Sequence, residues 1–359
     1  MYMHEILDQT RELTYVEAIN EALTIAMALD PLMICYGLGI SDPKAIFGTT
    51  KNLANTYGQD RVFDMPTSEN AMTGVSIGAA IGGIRSVVTH QRLDFFLLAM
   101  DQLVNSAAKW HYTYGIPVPI TIRLIVGRGW GQGPTHSQNL HSWFAHIPGL
   151  KVVMPSTPQD AKGMLLEAIF DPNPVVFLEH RWLHNSKGCV PLNDYRIPFG
   201  VAKILQSGTD ITIVGMSYLT AEARRAVDYL SKFKISCELI DLRSLKPIDW
   251  DAIKNSVAKT GRLLVLDSGY TTGSLAGEIV AKIAMESFEF LKSAPVRLAM
   301  PDIPEPASFG LTKGFYISAK EIVESILEIM KINSSSIIEN APAEDFLHDV
   351  PGAWFKGPF

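Results

Sequence analysis

Short apolar runs rich in β-branched residues alternate along the chain with stretches whose apolar positions recur every three or four residues. The runs Leu32–Tyr36, Arg61–Asp64, Ser86–Thr89, Ile120–Val126, Lys151–Met154 and Val175–Leu178 predict strands. The amphipathic stretches Val16–Leu29, Glu69–Ile81, Phe95–Tyr114 and Gln159–Phe170 predict helices between them. Near Gly188–Gly200 the rhythm breaks at Pro191, Asn193, Asp194 and Pro198, which is linker chemistry. A second series follows. Its strands are Ile211–Val214, Cys237–Asp241, Arg262–Asp267 and Val296–Ala299; its helices are Leu219–Lys232, Trp250–Lys259, Ser274–Phe288 and Ala319–Lys331.

The pattern predicts an α/β fold of two open domains with mostly parallel sheets, 1–190 and 191–331, and a carboxyl-terminal tail, 332–359. The tail carries a run of serines, Pro342, Pro351 and Pro358, with Trp354, Phe355 and Phe359. It reads either as a surface segment or as aromatic anchors that dock on a partner subunit.

Composition narrows the class. Charged residues make up 19% of the 359 residues, below the usual share of about 25%, which points to apolar surface covered by another subunit. A net charge of −6 without a basic stripe argues against nucleic acid as a partner. Cys35, Cys189 and Cys237 are scattered without CxxC spacing, so neither a disulfide framework nor a cysteine zinc site is expected, and a cytoplasmic location fits. Apolar stretches are interrupted too often for a membrane span, and the first eleven residues lack a signal-peptide core.

No phosphate loop, GxSxG elbow or HExxH helix is present. The glycines at 127, 129, 131 and 133 follow a strand without opening a helix, which suits a loop beside a ligand better than a dinucleotide fingerprint. Glu69 begins a helix at the carboxyl end of a strand, with Thr67 or Ser68 as its cap. It is either a first-turn carboxylate favoured by the helix dipole or a ligand-facing group at the sheet edge. His136 follows the glycine loop as an acid/base candidate or a plain surface histidine. Phe95 and Phe96 are core residues unless one stacks on a planar ligand.

Asp64-Met65-Pro66-Thr67-Ser68-Glu69, Gly78-Ala79-Ala80, the run Ala99–Lys109, His136-Ser137-Gln138 and the run Trp143–Pro155 together resemble the β subunit of thiamine-diphosphate-dependent 2-oxo-acid dehydrogenases. Asp160-Ala161-Lys162-Gly163 and the run Asp171–Val176 continue the resemblance, which extends from about Thr14 to about Met330. It implies a pyrimidine-binding domain and a transketolase carboxyl-terminal-like domain, joined with an α subunit in an α2β2 heterotetramer. It implies an oxidoreductase that decarboxylates a 2-oxo acid and passes the acyl unit to an acceptor, such as a lipoyl group on an acyltransferase. Glu69 matches the glutamate on the cofactor's aminopyrimidine, Phe95 the aromatic stacked on that ring, and His136 the proton-transferring histidine. Asp171 and Asn173 resemble a potassium-binding loop. The GDG motif that holds magnesium and the diphosphate is missing here, and the resemblance places it on the α subunit.

Two departures leave the substrate open. His90-Gln91-Arg92-Leu93-Asp94 occupies a stretch that is more apolar and aromatic in many members, and His141 stands where an acidic residue is common. The alternatives are the carboxyl-terminal half of a split transketolase, with Arg92, Arg128 and Arg181 as phosphate ligands, or a non-catalytic partner-binding scaffold. The ordered blocks fit the dehydrogenase type better than the first, and the presence of Glu69 and His136 speaks against the second.

Overall fold

The computed structural model describes residues 10–342 and 348–350, and the chain forms two compact units. The first contains the described residues up to Gly127 together with Trp143–Phe199; the second contains Arg128–Ser142 and the described chain from Gly200 onward. Trp354, Phe355 and Phe359 of the tail lie outside the described residues.

In the first unit, β1 (Thr10–Thr14) pairs antiparallel with β8 (Lys187–Pro191). The main sheet consists of β2 (Ile34–Gly37), β3 (Val62–Asp64), β4 (Ser86–His90), β5 (Ile120–Val126), β6 (Lys151–Val153) and β7 (Val175–His180). They run parallel in the order β6-β7-β5-β4-β2-β3. Every residue of β4, β5 and β7 is buried, as a parallel sheet covered on both faces requires. The helices are α1 (Tyr15–Leu29), α2 (Leu53–Tyr57), α3 (Glu69–Ile81), α4 (Leu93–Phe96), α5 (Ala108–Tyr114) and α7 (Pro158–Phe170); α6 (His141–His146) straddles the unit boundary in sequence. A capping box of Thr14 and Glu17 starts α1, whose apolar face (Ala18, Ile19, Ala22, Leu23, Ala26) is fully buried.

The expected single helix over 95–114 is broken into α4, a 3-10 turn (Leu97–Ala99), a π-helical stretch (Gln102–Ala107) and α5. Where α5 begins, Gly149, at φ +90°, sits so close to the Ala108 carbonyl that a Cβ would lie 1.9 Å from that oxygen.

The second unit holds β9 (Lys203–Gln206), β10 (Ile211–Gly215), β11 (Cys237–Asp241), β12 (Ser244–Lys246), β13 (Leu263–Tyr270) and β14 (Val296–Met300). Its sheet runs β14-β13-β10-β11-β9, parallel except for β9. Helices α8 (Tyr218–Ser231), α9 (Trp250–Thr260), α10 (Leu275–Glu286), α11 (Phe309–Thr312), α12 (Ala319–Met330) and α13 (Ser335–Glu339) complete it. The predicted strands and helices of both series are present with ends shifted by a few residues; β1, β8, β9 and β12 were not anticipated. Part of the 332–359 segment is packed rather than loose. Ile337 and Ala341 join the core of this unit, and Tyr229 donates to the Ile337 carbonyl at 2.9 Å.

No helix among the described residues is long and apolar enough to cross a membrane.

His141 is buried and ties the second unit together. Its Nδ1 lies 3.0 Å from the Asn139 side-chain oxygen, and its Nε2 faces Asp267 at 2.9 Å. Burial pushes the Asp267 carboxyl up, but the charge and hydrogen bond of His141 and the backbone N–H groups of Ala276 and Gly269 outweigh it. The net effect holds Asp267 below its ordinary value of 3.8. The side chain of His141 therefore serves the interior of this unit rather than a ligand pocket. Replacing it by alanine strands a buried carboxylate, at a cost of about 3–5 kcal/mol, and should lower the melting temperature at neutral pH. Because the folded value is depressed, the stabilisation is full above about pH 4 and is lost as pH falls through the folded value. Melting curves of both proteins between pH 7 and pH 3 should converge at the acid end; parallel curves would show that the pair contributes nothing.

Candidate functional site

In the first sheet the chain leaves β2 toward β3 on one side, and leaves β4 toward β5 on the other. The crevice between β2 and β4, at their carboxyl ends, is therefore the topological switch point where open α/β sheets bind ligands. Gln91 bridges it by donating to the Leu38 carbonyl at 3.1 Å. At this edge stand Glu69 at the head of α3, Arg92 before α4, and Phe95 within α4.

Glu69 is only 6% exposed, and its carboxyl group makes no hydrogen bond or ion pair with any described residue; only its backbone carbonyl is engaged, by the Thr73 hydroxyl at 3.0 Å. The residue is largely covered, but its carboxyl oxygens are not fully shielded, so the group meets solvent at the sheet edge without a protein partner. The expected cap is not made. Ser68 occupies the cap position at φ −168° and ψ 68°, and its side chain does not bond to the helix. That leaves the head of α3 without a side-chain acceptor.

The two phenylalanines are divided by the turn of α4. Phe96 is fully buried, edge-on to His90 at 4.9 Å between ring centroids and 6.0 Å from Phe144. Phe95 is only partly buried and is the one whose ring can face a planar ligand.

His136 belongs to the second unit, directly after the 3-10 turn Gly133–Thr135, and is partly exposed. Its Nδ1 lies 2.9 Å from the Thr135 hydroxyl. The glycine loop before it packs closely on Ala307: at Gly131 and Gly133 a Cβ would lie 3.3 and 3.1 Å from that residue. Trp130 takes the left-handed conformation at φ 54°, unusual for a bulky residue, and its N–H donates to the Asp349 carbonyl at 2.9 Å. Arg128 is held over the rings of Tyr218 and Tyr316, at 4.9 and 4.6 Å.

Asp171 and Asn173 precede β7 and so stand at the opposite, amino edge of the first sheet from Glu69 and Phe95. Asp171 is ion-paired with Lys151 and accepts the Asn173 N–H at 2.8 Å. Asn173 keeps a buried side-chain oxygen without a partner among the described residues. The described residues contain no group of three or more His, Cys, Asp or Glu side chains able to hold a metal ion. The sequence marks Arg92 as a departure near the pocket and, in the split-transketolase alternative, as a phosphate ligand. Its burial is a product of the fold and leaves no mark in the periodicity.

Residues 11–186 match the family described as transketolase, pyrimidine binding domain, and residues 200–322 match transketolase, C-terminal domain. A β subunit of acetoin:2,6-dichlorophenolindophenol oxidoreductase from Cupriavidus necator is 39% identical over 333 residues, covering 89% of this chain and 98% of that protein. A mitochondrial pyruvate dehydrogenase E1 component subunit beta-1 from Oryza sativa subsp. japonica is 38% identical over 321 residues, covering 88% and 86%. Among solved structures, a split-gene transketolase described as an inactive β4 tetramer superposes with a TM-score of 0.71 over 90% of this chain and 99% of that one; at 19% identity this speaks for the fold alone. With a buried, partnerless glutamate at the sheet's switch point and this likeness over most of its length, the chain belongs to the family of pyruvate and acetoin dehydrogenase β subunits, built from transketolase pyrimidine-binding and C-terminal domains.

Proposed function

We propose that this chain is the β half of a thiamine-diphosphate-dependent enzyme that decarboxylates a 2-oxo acid and passes the acyl unit to an acceptor such as a lipoyl group. The observation that carries this reading is the Glu69 carboxyl, 6% exposed and partnerless at the switch point. Such a group fits a pyrimidine ring nitrogen, to which it can hold or return a proton. Phe95 fits as the face on which the ring rests. The chemistry supplied by bound thiamine diphosphate is an electron sink for the bond that breaks as carbon dioxide leaves. His136, steadied through Nδ1 by Thr135, serves proton transfer during acyl release.

In this reading an α subunit carrying the GDG motif holds magnesium and the diphosphate, and the working form is an α2β2 heterotetramer. At the amino edge of the first sheet, the orphaned Asn173 oxygen suits a potassium ion, while the Asp171 carboxylate is already taken up by Lys151. Free Cys35, Cys189 and Cys237 accord with a reducing, cytoplasmic setting. Split transketolase remains the second reading, favoured by the fold likeness and by the arginines at the site.

The test is co-purification with an α-type subunit carrying the GDG motif, then titration of thiamine diphosphate and magnesium into the complex and into this chain alone. Saturable binding only in the complex, with carbon dioxide released from a 2-oxo acid, is the expected result. Ketol transfer between sugar phosphates without carbon dioxide would select the transketolase reading instead. In the active complex, Glu69→Gln should lower turnover by roughly 100-fold or more with the assembly intact; unchanged turnover removes Glu69 from the chemistry. His136→Ala should slow acyl transfer to a lipoyl acceptor by roughly 100-fold or more while leaving cofactor affinity nearly unchanged. A defect confined to cofactor binding would contradict its role.

A further inference from the structure

Arg92 is the side chain whose placement the proposed chemistry does not use. It is 7% exposed, and its guanidinium makes no hydrogen bond or ion pair with any described residue. Nη1 is shielded completely and packs over bare backbone: a Cβ on Gly127 would lie 2.9 Å from it. The Nη1 donors thus sit shielded inside the protein without an acceptor, while Nε and Nη2, also without a protein partner, are not fully shielded.

The surroundings do not neutralise it. Glu179, the buried carboxylate of this region, is taken by Arg123, with 2.6 Å between them and both side chains fully buried. Arg181, 1% exposed, lies under the ring of Phe47 at 4.0 Å and beside the His184 Nδ1 at 3.2 Å. Burial, and after it the charge of Arg92, pull Arg181 down to about 9, so the two guanidiniums feel each other. Asp94 adds an attraction to Arg92 without bonding to it. His90, one strand end away, has both ring nitrogens buried without partners, and burial pushes it down to about 4, so it adds no charge at neutral pH. Arg92 follows β4 and Arg181 follows β7, on the same carboxyl edge as Glu69, and Arg92 stands three residues before Phe95.

We propose that Arg92, with Arg181 behind it, binds a negatively charged group at the far end of the substrate, so that this chain takes a 2-oxo acid bearing a second anionic group rather than one with a short apolar side chain. The inference rests on the 2-oxo-acid reading above. A planar guanidinium whose Nε and Nη2 donors remain open matches a carboxylate through two parallel hydrogen bonds, and in a largely covered site such a pair discriminates strongly. Within this sheet the guanidinium stands at the switch point beside the proposed cofactor residues, which favours substrate over a structural partner.

The experiment uses the complex with its α subunit. Carbon dioxide release is measured with pyruvate, 2-oxobutyrate, 2-oxoglutarate, 2-oxoadipate and phosphonopyruvate, for the wild type, Arg92→Met and Arg92→Lys. The wild type should show higher kcat/KM for the acids with a distal charge, and whether dicarboxylates or the phosphonate lead names the anion. Arg92→Met should reduce that advantage by roughly 10- to 100-fold, mostly through KM, and Arg92→Lys should restore part of it. Without substrate, Arg92→Met should melt no lower than the wild type, because it removes an unpaired buried charge. A wild type that prefers pyruvate, an Arg92→Met protein that loses all acids equally, a fall in its melting temperature with the preference intact, or loss of the α subunit on purification would each overturn the proposal. No carbon dioxide from any acid would instead sink the 2-oxo-acid reading. The anion site then stands or falls on whether 2-oxoglutarate raises the melting temperature of the wild type but not of Arg92→Met.

Discussion

A parallel strand cannot turn straight back onto its neighbour; the chain must cross over the sheet before it pairs again. The first unit is built on that constraint. Each crossover begins at the same edge, so the segments after β3, β4, β5 and β7 collect there whatever their sequence. Reversal of direction between β2 and β4 then opens a crevice that no side chain of the sheet itself can fill. Glu69, Arg92 and Phe95 occupy that edge because the topology delivers them, and the fully buried β4 and β5 behind them supply a stiff floor.

Against this background the partnerless groups carry meaning. Several buried charges are satisfied within the protein: Arg123 with Glu179, His141 with Asp267, Lys162 with Glu21 and the Pro191 carbonyl. Glu69 and Arg92, on one sheet edge and of opposite charge, have no such partner among the described residues. A fold that meets its obligations in the interior and leaves them unmet at a switch point has reserved those groups for something that arrives from outside.

Much of this was legible in the sequence, for reasons that differ from element to element. The helix Glu69–Ile81 and the strands Ile120–Val126 and Cys237–Asp241 have the predicted ends because periodicity and flanking turns agree there. The interruption of 95–114 was hidden, since the apolar positions there recur as they would in one continuous helix. The pair β1–β8 was hidden because its half-exposed residues alternate too weakly. Ser68 looked like a cap and is not one, because its backbone turns the side chain away from the helix. At the site, residue types marked Glu69 and the His90–Asp94 departure, but burial without a partner is a property of three-dimensional packing and could not be read from one dimension.

The bond from the Trp130 amide to the Asp349 carbonyl has a consequence in time rather than in space. The acceptor is synthesised long after the donor, whereas the strands of the first sheet can pair earlier. A left-handed tryptophan gains nothing from its own backbone preference, so the glycine loop depends on distant partners, Tyr316 and the Asp349 carbonyl, to hold it. The loop that leads into His136 is thus among the last parts of the molecule to acquire its shape, and a nascent or truncated chain would own a finished scaffold before it owned that loop.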